Sequence, residues 1–512
     1  MIKKIILFGD MRLGTKSIPF KSSSISRLAY ALRKKGYLVK QVHHCVSFTY
    51  DEIKSVISNF SEGEKVCVGV STSFLADDNS KDRYFWGYNS YVFLLNVGRV
   101  CKEFGFPYLL GGWEITETAL EDKFDGWGFS NLSKVVTYFI EGKDTEAIED
   151  VCNDKPVVYK LIANDIKLVL TKENEDFSDC ASTLSTEDFV MQGESVCTEV
   201  AAGCIFSCSF CNYAALGKKK NQYTRTYDSF EEEIKENYKN FKISLYNLTD
   251  NIVNDTPEKI RYLIDVREKT GIDFKWSGYV RLDTIRTKEQ AILLKESGMI
   301  GASFGIESFY KASGPYIGKV TDKERLMKSL ETMRNVFNDD AILTGLFIAG
   351  LPEEPIDHII KTHEWLDSIE GRYYLDQHRY SSFRLFDYNA DKNDINKARN
   401  NPFRDYTIID RSTNIKGKSK SRNVFNTWVS PWTSYEEVDE ICKQIEREQK
   451  NRLGGAFFLA FLVNSGYELN TLIKDIRDSS KQGTIFKPRF EEEGKKFIRN
   501  YIDKVCTKKV LD

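Results

Sequence analysis

The sequence predicts an α/β protein: a doubly wound parallel sheet at the N-terminus, further β/α units through the middle, and a mostly helical C-terminal region. Three observations carry this. Short apolar strands alternate with helical stretches from Ile5 to about Asp150, the pattern of a parallel sheet with helices on both faces. Val66-Cys67-Val68-Gly69-Val70 is apolar without a break, as a strand is when both of its faces are covered. Beyond Glu194, strand-like runs such as Ile243-Ser244-Leu245-Tyr246-Asn247-Leu248 end in polar residues, here Thr249-Asp250-Asn251.

The first domain, residues 1–150, reads as about five strands. Ile5–Phe8 is the first, followed by a helix from Ser24 to Lys35 with Gly36 just past its end. Tyr37–Val42 is the second strand and Asp51–Asn59 the next helix. The apolar Val66–Val70 strand runs into Ser71-Thr72-Ser73, and a long helical stretch, Tyr91–Phe104, leads to a fourth strand at Pro107–Leu110 that runs into Gly111-Gly112. Phe124–Gly128 reads as a fifth unit with a helix to about Phe139. Ligands of such sheets sit beyond the carboxyl ends of the strands, which makes Ser71, Thr72, Gly111 and Gly112 candidate binding residues. Glycine at the second of these loops lets the backbone approach a large flat ligand closely. His43 and His44 close the second strand and read as surface or loop-capping residues.

Residues 151–190 form the linker: alternation over Lys155–Lys172 suggests a hairpin, and the polar, acidic stretch from Glu173 to Glu194 suggests a crossing between domains. Residues 191–390 are the central domain, where Glu199–Ala202 reads as a strand. From 391 to 512 the chain is polar and rich in Lys and Arg through Arg422. It then becomes helical at Tyr435–Arg447, Gly455–Val463 and Phe490–Val505.

A chain of 512 residues has material for two to four domains. With 41% hydrophobic and 29% charged residues it is neither disordered nor membrane-like in composition, and a formal net charge of -2 gives no electrostatic footprint for nucleic acid. The apolar run after Met1 is too short for a secretory signal, and the longest later one, Ala456–Val463, falls well short of the roughly 20 residues of a membrane helix. Of the 11 cysteines, eight are scattered singly, so no disulfide framework is visible and a reducing cytoplasm is expected.

The other three are Cys204, Cys208 and Cys211, in Ala-Ala-Gly-Cys-Ile-Phe-Ser-Cys-Ser-Phe-Cys-Asn-Tyr. Thiolates are soft ligands that favour iron–sulfur clusters, zinc or copper(I). Structural zinc and ordinary [4Fe–4S] sites use four protein ligands, so a set of three implies an open metal position. A zinc knuckle with a distant fourth ligand and three unrelated core cysteines are the alternatives.

The spacing Cys-x-x-x-Cys-x-aromatic-Cys, with Phe210 as the aromatic, resembles the signature of the radical S-adenosylmethionine (radical SAM) superfamily. That resemblance implies that Cys204, Cys208 and Cys211 ligate three irons of a [4Fe–4S] cluster and that SAM chelates the fourth. One electron then cleaves SAM to methionine and a 5′-deoxyadenosyl radical. It also implies a partial β/α, TIM-like barrel with SAM contacts at its strand ends. In that frame Asp250 and Asn251 receive SAM's ammonium, against the plainer reading of an Asx turn. Arg281 pairs with SAM's carboxylate, or instead braces the barrel through Asp283 or Glu307. Gly305-Ile306-Glu307-Ser308 matches the family's fourth strand, where Glu307 accepts the ribose hydroxyls or forms a structural ion pair. Gly350-Leu351-Pro352 resembles the element that packs on adenine, with Glu353 where glycine is common. Lys218-Lys219-Lys220 either meets an anionic group or is a solvated loop.

The N-terminal domain resembles the cobalamin-binding domain of B12-dependent radical SAM proteins. Ser71, Thr72, Gly111 and Gly112 are then the corrin contacts. The cobalt-ligating histidine of Asp-x-His-x-x-Gly is missing from Gly9-Asp10-Met11-Arg12-Leu13-Gly14. A domain that keeps the fold and binds no corrin is the alternative. The resemblance implies a radical SAM enzyme acting on a small-molecule or peptide substrate and fed by a one-electron reductant such as flavodoxin or ferredoxin. With cobalamin it is a C-methyltransferase; without it, an enzyme of epimerisation, cyclisation or rearrangement. A non-catalytic iron–sulfur scaffold is the reading from another class.

Overall fold

The computed structural model describes residues 1–10, 21, 23–72, 88–112, 132, 134–141, 145–162, 166–170, 178–191, 193–211, 223–386, 402–411, 425–448, 458–464, 466–484, 486 and 490–507. Met11–Gly14, Ser73, Phe124–Gly128 and Lys218–Lys220 lie outside these residues.

The N-terminal sheet is built from β1 (Lys4–Phe8), β2 (Leu38–Val42), β3 (Val66–Ser71), β4 (Tyr108–Gly111), β5 (Tyr138–Glu141), β6 (Lys160–Ile162) and β7 (Ile166–Leu170) in the order β2-β1-β3-β4-β5-β7-β6. All neighbours are parallel except the β6/β7 hairpin. Period-two alternation explains why the sheet is covered twice. Ile6, Phe8, Val68 and Leu110 enter one core, while Ile5, Leu7, Cys67 and Leu109 enter the other. The first core is closed by helices Tyr50–Ser61 and Tyr88–Phe104, the second by Ser23–Lys34 and Glu146–Cys152.

Two expectations are corrected here. The stretch ending at Phe139 was expected to be helical, yet Tyr138–Glu141 is a strand: its aromatic and branched side chains suit a pleated, buried surface, and Phe139 sits opposite Leu110. The hairpin expected in the linker joins the sheet, which therefore has seven strands rather than about five. Leu168 and Val169 of β7 point into opposite cores, so leaving β7 out would expose both faces of β5.

The central domain is a six-stranded parallel sheet in the order β15-β14-β13-β12-β11-β8, open between its first and last strands. Its members are β8 (Val196–Thr198), β11 (Leu245–Leu248), β12 (Lys275–Val280), β13 (Met299–Glu307), β14 (Ile342–Ala349) and β15 (Gln377–Ser382). The expected strand at 199–202 is shorter. Val196–Thr198 forms the barrel strand, and only β9 (Ala201–Ala202) remains, paired with β10 (Tyr223–Thr224). Four of the intervening helices begin at side-chain caps: Thr226, Thr256 with Pro257 after it, Thr287 in a capping box with Gln290, and Asp322.

The tail closes the molecule at three places. Helices Phe458–Asn464 and Leu469–Lys481 pack on Cys197, Leu245, Ile300 and Ile342, at the amino ends of the barrel strands. A small antiparallel sheet of β16 (Leu385–Phe386), β17 (Thr407–Arg411) and β18 (Phe425–Val429) joins helix Tyr435–Glu448 at the opposite end, so this region is helical with one three-stranded sheet. The last helix, Phe490–Cys506, returns to the N-terminal domain and places Phe497, Tyr501 and Val505 in its first core.

That helix explains a further correction: His43 and His44 are buried rather than at the surface. The Tyr501 hydroxyl accepts the His43 amide at 2.9 Å, and the His44 ring packs edge-on against Phe497 and Tyr501. No helix among the described residues is long and apolar enough to cross a membrane. Tyr501→Ala should remove a fully buried aromatic and cost about 3–5 kcal/mol of stability, read as a lower urea midpoint; a change within about 0.5 kcal/mol would mean the helix is not part of this core.

Candidate cluster and cofactor site

Because all six barrel strands are parallel, their carboxyl ends meet at one edge, where Thr198, Leu248, Val280, Glu307, Ala349 and Ser382 end their strands. From β8 the chain crosses through Glu199 and Val200, forms β9, turns at Gly203 with φ 112°, and enters the cysteine loop. Cys204, Cys208 and Cys211 are all half-buried there. A cluster takes one thiolate per iron, so these thiols need not meet at a point as they must around a single zinc ion. Among the described residues, the set whose ligand atoms all lie within 4.8 Å of one another is His363, Asp367 and His378, not the cysteines.

The loop is held from both sides. Asp250 accepts the amides of Val200 and Ala201, each at 2.9 Å, one on each carboxylate oxygen, and Asn251 Oδ1 accepts the Gly203 amide at 3.3 Å. The two residues at the end of β11 thus fix the backbone that leads into Cys204. On the other side the Ser209 hydroxyl donates to the Tyr316 carbonyl at 2.7 Å, and its amide donates to Ile317 at 3.3 Å.

Of the partners weighed for Arg281, the structure supplies Asp283. The guanidinium donates to both carboxylate oxygens, at 2.6 and 2.9 Å, lies over the Phe206 ring at 3.8 Å, and reaches Cys208 Sγ through Nη1 at 3.5 Å. Burial opposes its charge, but Asp283 and then Cys208 more than offset this and hold Arg281 above its ordinary value. Cys204 is pushed up, chiefly by burial and also by the negative charge of Asp255, against a hydrogen bond from the Phe206 amide. Metal ligation has to remove that thiol proton.

Glu307 ends β13 at φ 67°, a left-handed conformation unusual for a residue with a side chain. Lys319 pairs with its carboxylate at 2.8 Å and also donates to the Gly305 carbonyl. Gly350 has φ 89°, and a Cβ there would stand 2.7 Å from the Trp428 ring; its carbonyl accepts the Tyr406 hydroxyl at 2.7 Å. Leu351 is fully buried beside it, and Phe210 packs against the same cluster. Glu353, in the place of the usual glycine, keeps the left-handed backbone at φ 64°, and the Tyr316 hydroxyl donates to its carboxylate at 2.5 Å. The departure from the motif leaves the turn intact.

Sequence reading missed Asp255, Lys259 and Lys319. Lys259 bridges the buried acids Asp250 and Asp255 at 3.2 and 3.1 Å. The available signal for Asp255 was its place just before the Thr256-Pro257 helix start, at the carboxyl end of a strand.

In the N-terminal sheet, Ser71 and Gly111 are register partners, and the Thr72 amide donates to the Gly111 carbonyl at 2.7 Å, so the two candidate loops lie side by side. Thr72 is buried with no hydrogen-bond partner for its hydroxyl among the described residues, a Cβ on Gly111 would meet the Ile140 carbonyl at 3.3 Å, and Gly112 has φ 139°. An orphaned hydroxyl beside bare backbone is the donor set a large polar-edged ligand fits.

Residues 198–366 match the family model described as Radical SAM superfamily. No curated protein matches the sequence. Among solved structures, the cobalamin-dependent S-adenosylmethionine radical enzyme OxsB with aqua-cobalamin bound is similar with a TM-score of 0.58 at 14% identity, over 94% of this chain and 72% of that one. The radical S-adenosylmethionine methyltransferase TsrM from Kitasatospora setae, with tryptophan substrate and a SAM analog bound, gives a TM-score of 0.52 at 15% identity, over 75% of this chain and 74% of that one. Residues 198–366 thus carry a radical SAM domain, of the superfamily whose cofactors are a [4Fe–4S] cluster and SAM, and the chain shares the fold of these cobalamin-dependent and methyltransferase structures.

Proposed function

We propose that this chain is a radical SAM enzyme whose cluster is held by Cys204, Cys208 and Cys211, and that its N-terminal sheet binds cobalamin for methyl transfer to an unactivated carbon. The observation that carries the first part is a half-buried three-cysteine loop at the carboxyl edge of a parallel barrel, with a guanidinium 3.5 Å from one thiol. When bound, the cluster and SAM supply one-electron cleavage of SAM to methionine and a 5′-deoxyadenosyl radical.

The chain's own residues hold, orient and neutralise. Arg281 sets a positive charge and an N–H donor 3.5 Å from Cys208 Sγ. Asp250 and Asn251 fix the loop's entry through backbone amides, and Asp250 and Asp255 share the one Lys259 ammonium, a pair of carboxylates suited to receive a second ammonium group. Glu307, steadied by Lys319, presents a carboxylate at the strand end to vicinal hydroxyls. Leu351 and Phe210 give an apolar floor beside Gly350 for a purine. Ser71, Thr72, Gly111 and Gly112 receive the corrin, which would bind without a histidine from the first loop. The likeness in fold to OxsB and TsrM supports this reading.

Reconstituted, reduced protein incubated with SAM should release 5′-deoxyadenosine, measured by chromatography; no release sinks the catalytic reading, and Cys208→Ala should abolish both iron and release. Protein purified anaerobically with cobalamin should keep a corrin absorption spectrum. Gly112→Leu, forced into a glycine conformation at a cost on the order of 1–3 kcal/mol, should lower corrin retention by about tenfold or more; a wild-type protein that emerges colourless points instead to rearrangement chemistry without cobalamin. Asp250→Ala orphans two buried amides, at about 1–3 kcal/mol each, and should also lower the amount of bound iron. Arg281→Met, which removes a positive charge and an N–H from Cys208, should leave iron content near wild type but move the cluster's reduction potential to more negative values. An unchanged potential in a spectroscopic redox titration would show that the contact does not act on the cluster.

A further inference from the structure

A second set of metal-type side chains lies away from the cysteine edge, between helix Ile356–Asp367, strand β15 and helix Tyr435–Glu448. His363 and Asp367 stand one turn apart on the first helix, and His378 is on β15. His363 Nδ1 is 2.9 Å from His378 Nε2, His378 Nε2 is 3.6 Å from Asp367 Oδ1, and the ligand atoms of all three lie within 4.8 Å of one another. We propose that His363 Nδ1, His378 Nε2 and Asp367 Oδ1 bind a Zn(II) ion whose fourth position is left to water, at a site beside β15 that is separate from the cysteine cluster.

The donor set is two neutral imidazoles and a carboxylate, the ligand chemistry of zinc. In a tetrahedral site with bonds of about 2.0–2.1 Å, ligand atoms stand about 3.3 Å apart, close to the two separations of 2.9 and 3.6 Å. The surroundings fit as well. A metal-bound histidine commonly donates its other N–H to a carboxylate, and His363 Nε2 lies 3.0 Å from Glu448 Oε2 and 3.9 Å from Asp367 Oδ2. Arg372 donates to the Asp367 carbonyl at 3.0 Å and stands 3.7 Å from Oδ1, which steadies the acid. Tyr380 closes the apolar side, its ring centroid 6.2 and 6.4 Å from those of the histidines. A hydrogen bond between two neutral imidazoles explains the 2.9 Å contact alone; it does not call for a carboxylate oxygen 3.6 Å from the same nitrogen. The ion would replace the proton shared by the rings.

The position gives the ion a purpose. Helix Tyr435–Glu448 packs on β15, and its Val438 stands 3.0 Å from where a Cβ on Gly350 would be. Fixing the Glu448 end to the wall through His363 therefore steadies the helix that covers the Gly350 turn.

The test uses full-length, cluster-reconstituted protein incubated with zinc chloride and desalted, with zinc and iron counted by elemental analysis. About one zinc per chain beyond the iron is expected. His363→Gln/His378→Gln should lose the zinc and keep the iron, while Cys204→Ala/Cys208→Ala/Cys211→Ala should do the reverse. Wild-type zinc under about a tenth per chain, or zinc that disappears with the cysteines and survives loss of the histidines, overturns the proposal. Should the double variant fail to fold, Asp367→Ala decides: zinc must raise the wild-type Tm and leave that of Asp367→Ala where it was, and an equal rise in both overturns the site.

Discussion

The carboxylate of Asp250 is the constraint on which the cysteine edge depends. It sits at the end of β11, almost completely buried, and its two oxygens take the amides of Val200 and Ala201. A buried charge of this kind is tolerated only when paired and hydrogen-bonded, and Lys259 supplies the countercharge from the helix that follows. One side chain thereby fixes the angle at which the chain leaves the barrel's first strand. The three cysteines follow within ten residues of Ala201, so an error at that angle would carry into every ligand position.

The far side of the loop relies on strain held in place by neighbours. Glu307 and Glu353 both adopt left-handed backbone, which costs on the order of 1–3 kcal/mol each. Such conformations persist where the surroundings over-determine them, and the segment from Tyr316 to Lys319 does so. Lys319 grips Glu307 and the Gly305 carbonyl, the Tyr316 hydroxyl bonds Glu353, and the carbonyls of Tyr316 and Ile317 hold Ser209 of the cysteine loop. Three residues thus tie a strained strand end, Glu307, and a strained turn residue, Glu353, to the cysteine loop.

What was legible in the sequence follows from whether a feature is local. The cysteine spacing, Gly350-Leu351 and the apolar β3 are local patterns, and the structure sets the cysteine loop and Gly350 at the strand ends where such motifs belong. Partner choice is not local. Arg281 had three plausible partners, and only the fold puts Asp283 in its fork with Cys208 on the third side. Asp255 shows no motif of its own; the fold buries it and pairs it with Lys259. The β6/β7 hairpin read as a linker because alternation alone cannot tell a free hairpin from one whose two faces feed two different cores. His43 and His44 read as surface or loop-capping residues, and their burial was not legible because Tyr501, which packs on them, lies 458 residues after His43.

The two sheets are not independent modules joined by a tether, and the chemistry of their contacts shows why. Arg33 and Gln41 of the N-terminal domain converge on Asp188, Lys21 forms a fully buried pair with Glu194 at 3.0 Å while Tyr501 covers its ammonium, and Arg27 bonds Glu199. Glu199 is the residue immediately before the Val200 and Ala201 amides that Asp250 holds. The first helix of the N-terminal sheet and the second strand of the barrel therefore grip the same short crossing from opposite sides. Buried ion pairs contribute little net stability but penalise any arrangement that separates them. A shift of one sheet against the other would have to unpair Arg27, Lys21 or Arg33 and would pull directly on the backbone leading to Cys204. The geometry of the cysteine loop and the placement of the N-terminal sheet are thus set by one shared group of charges.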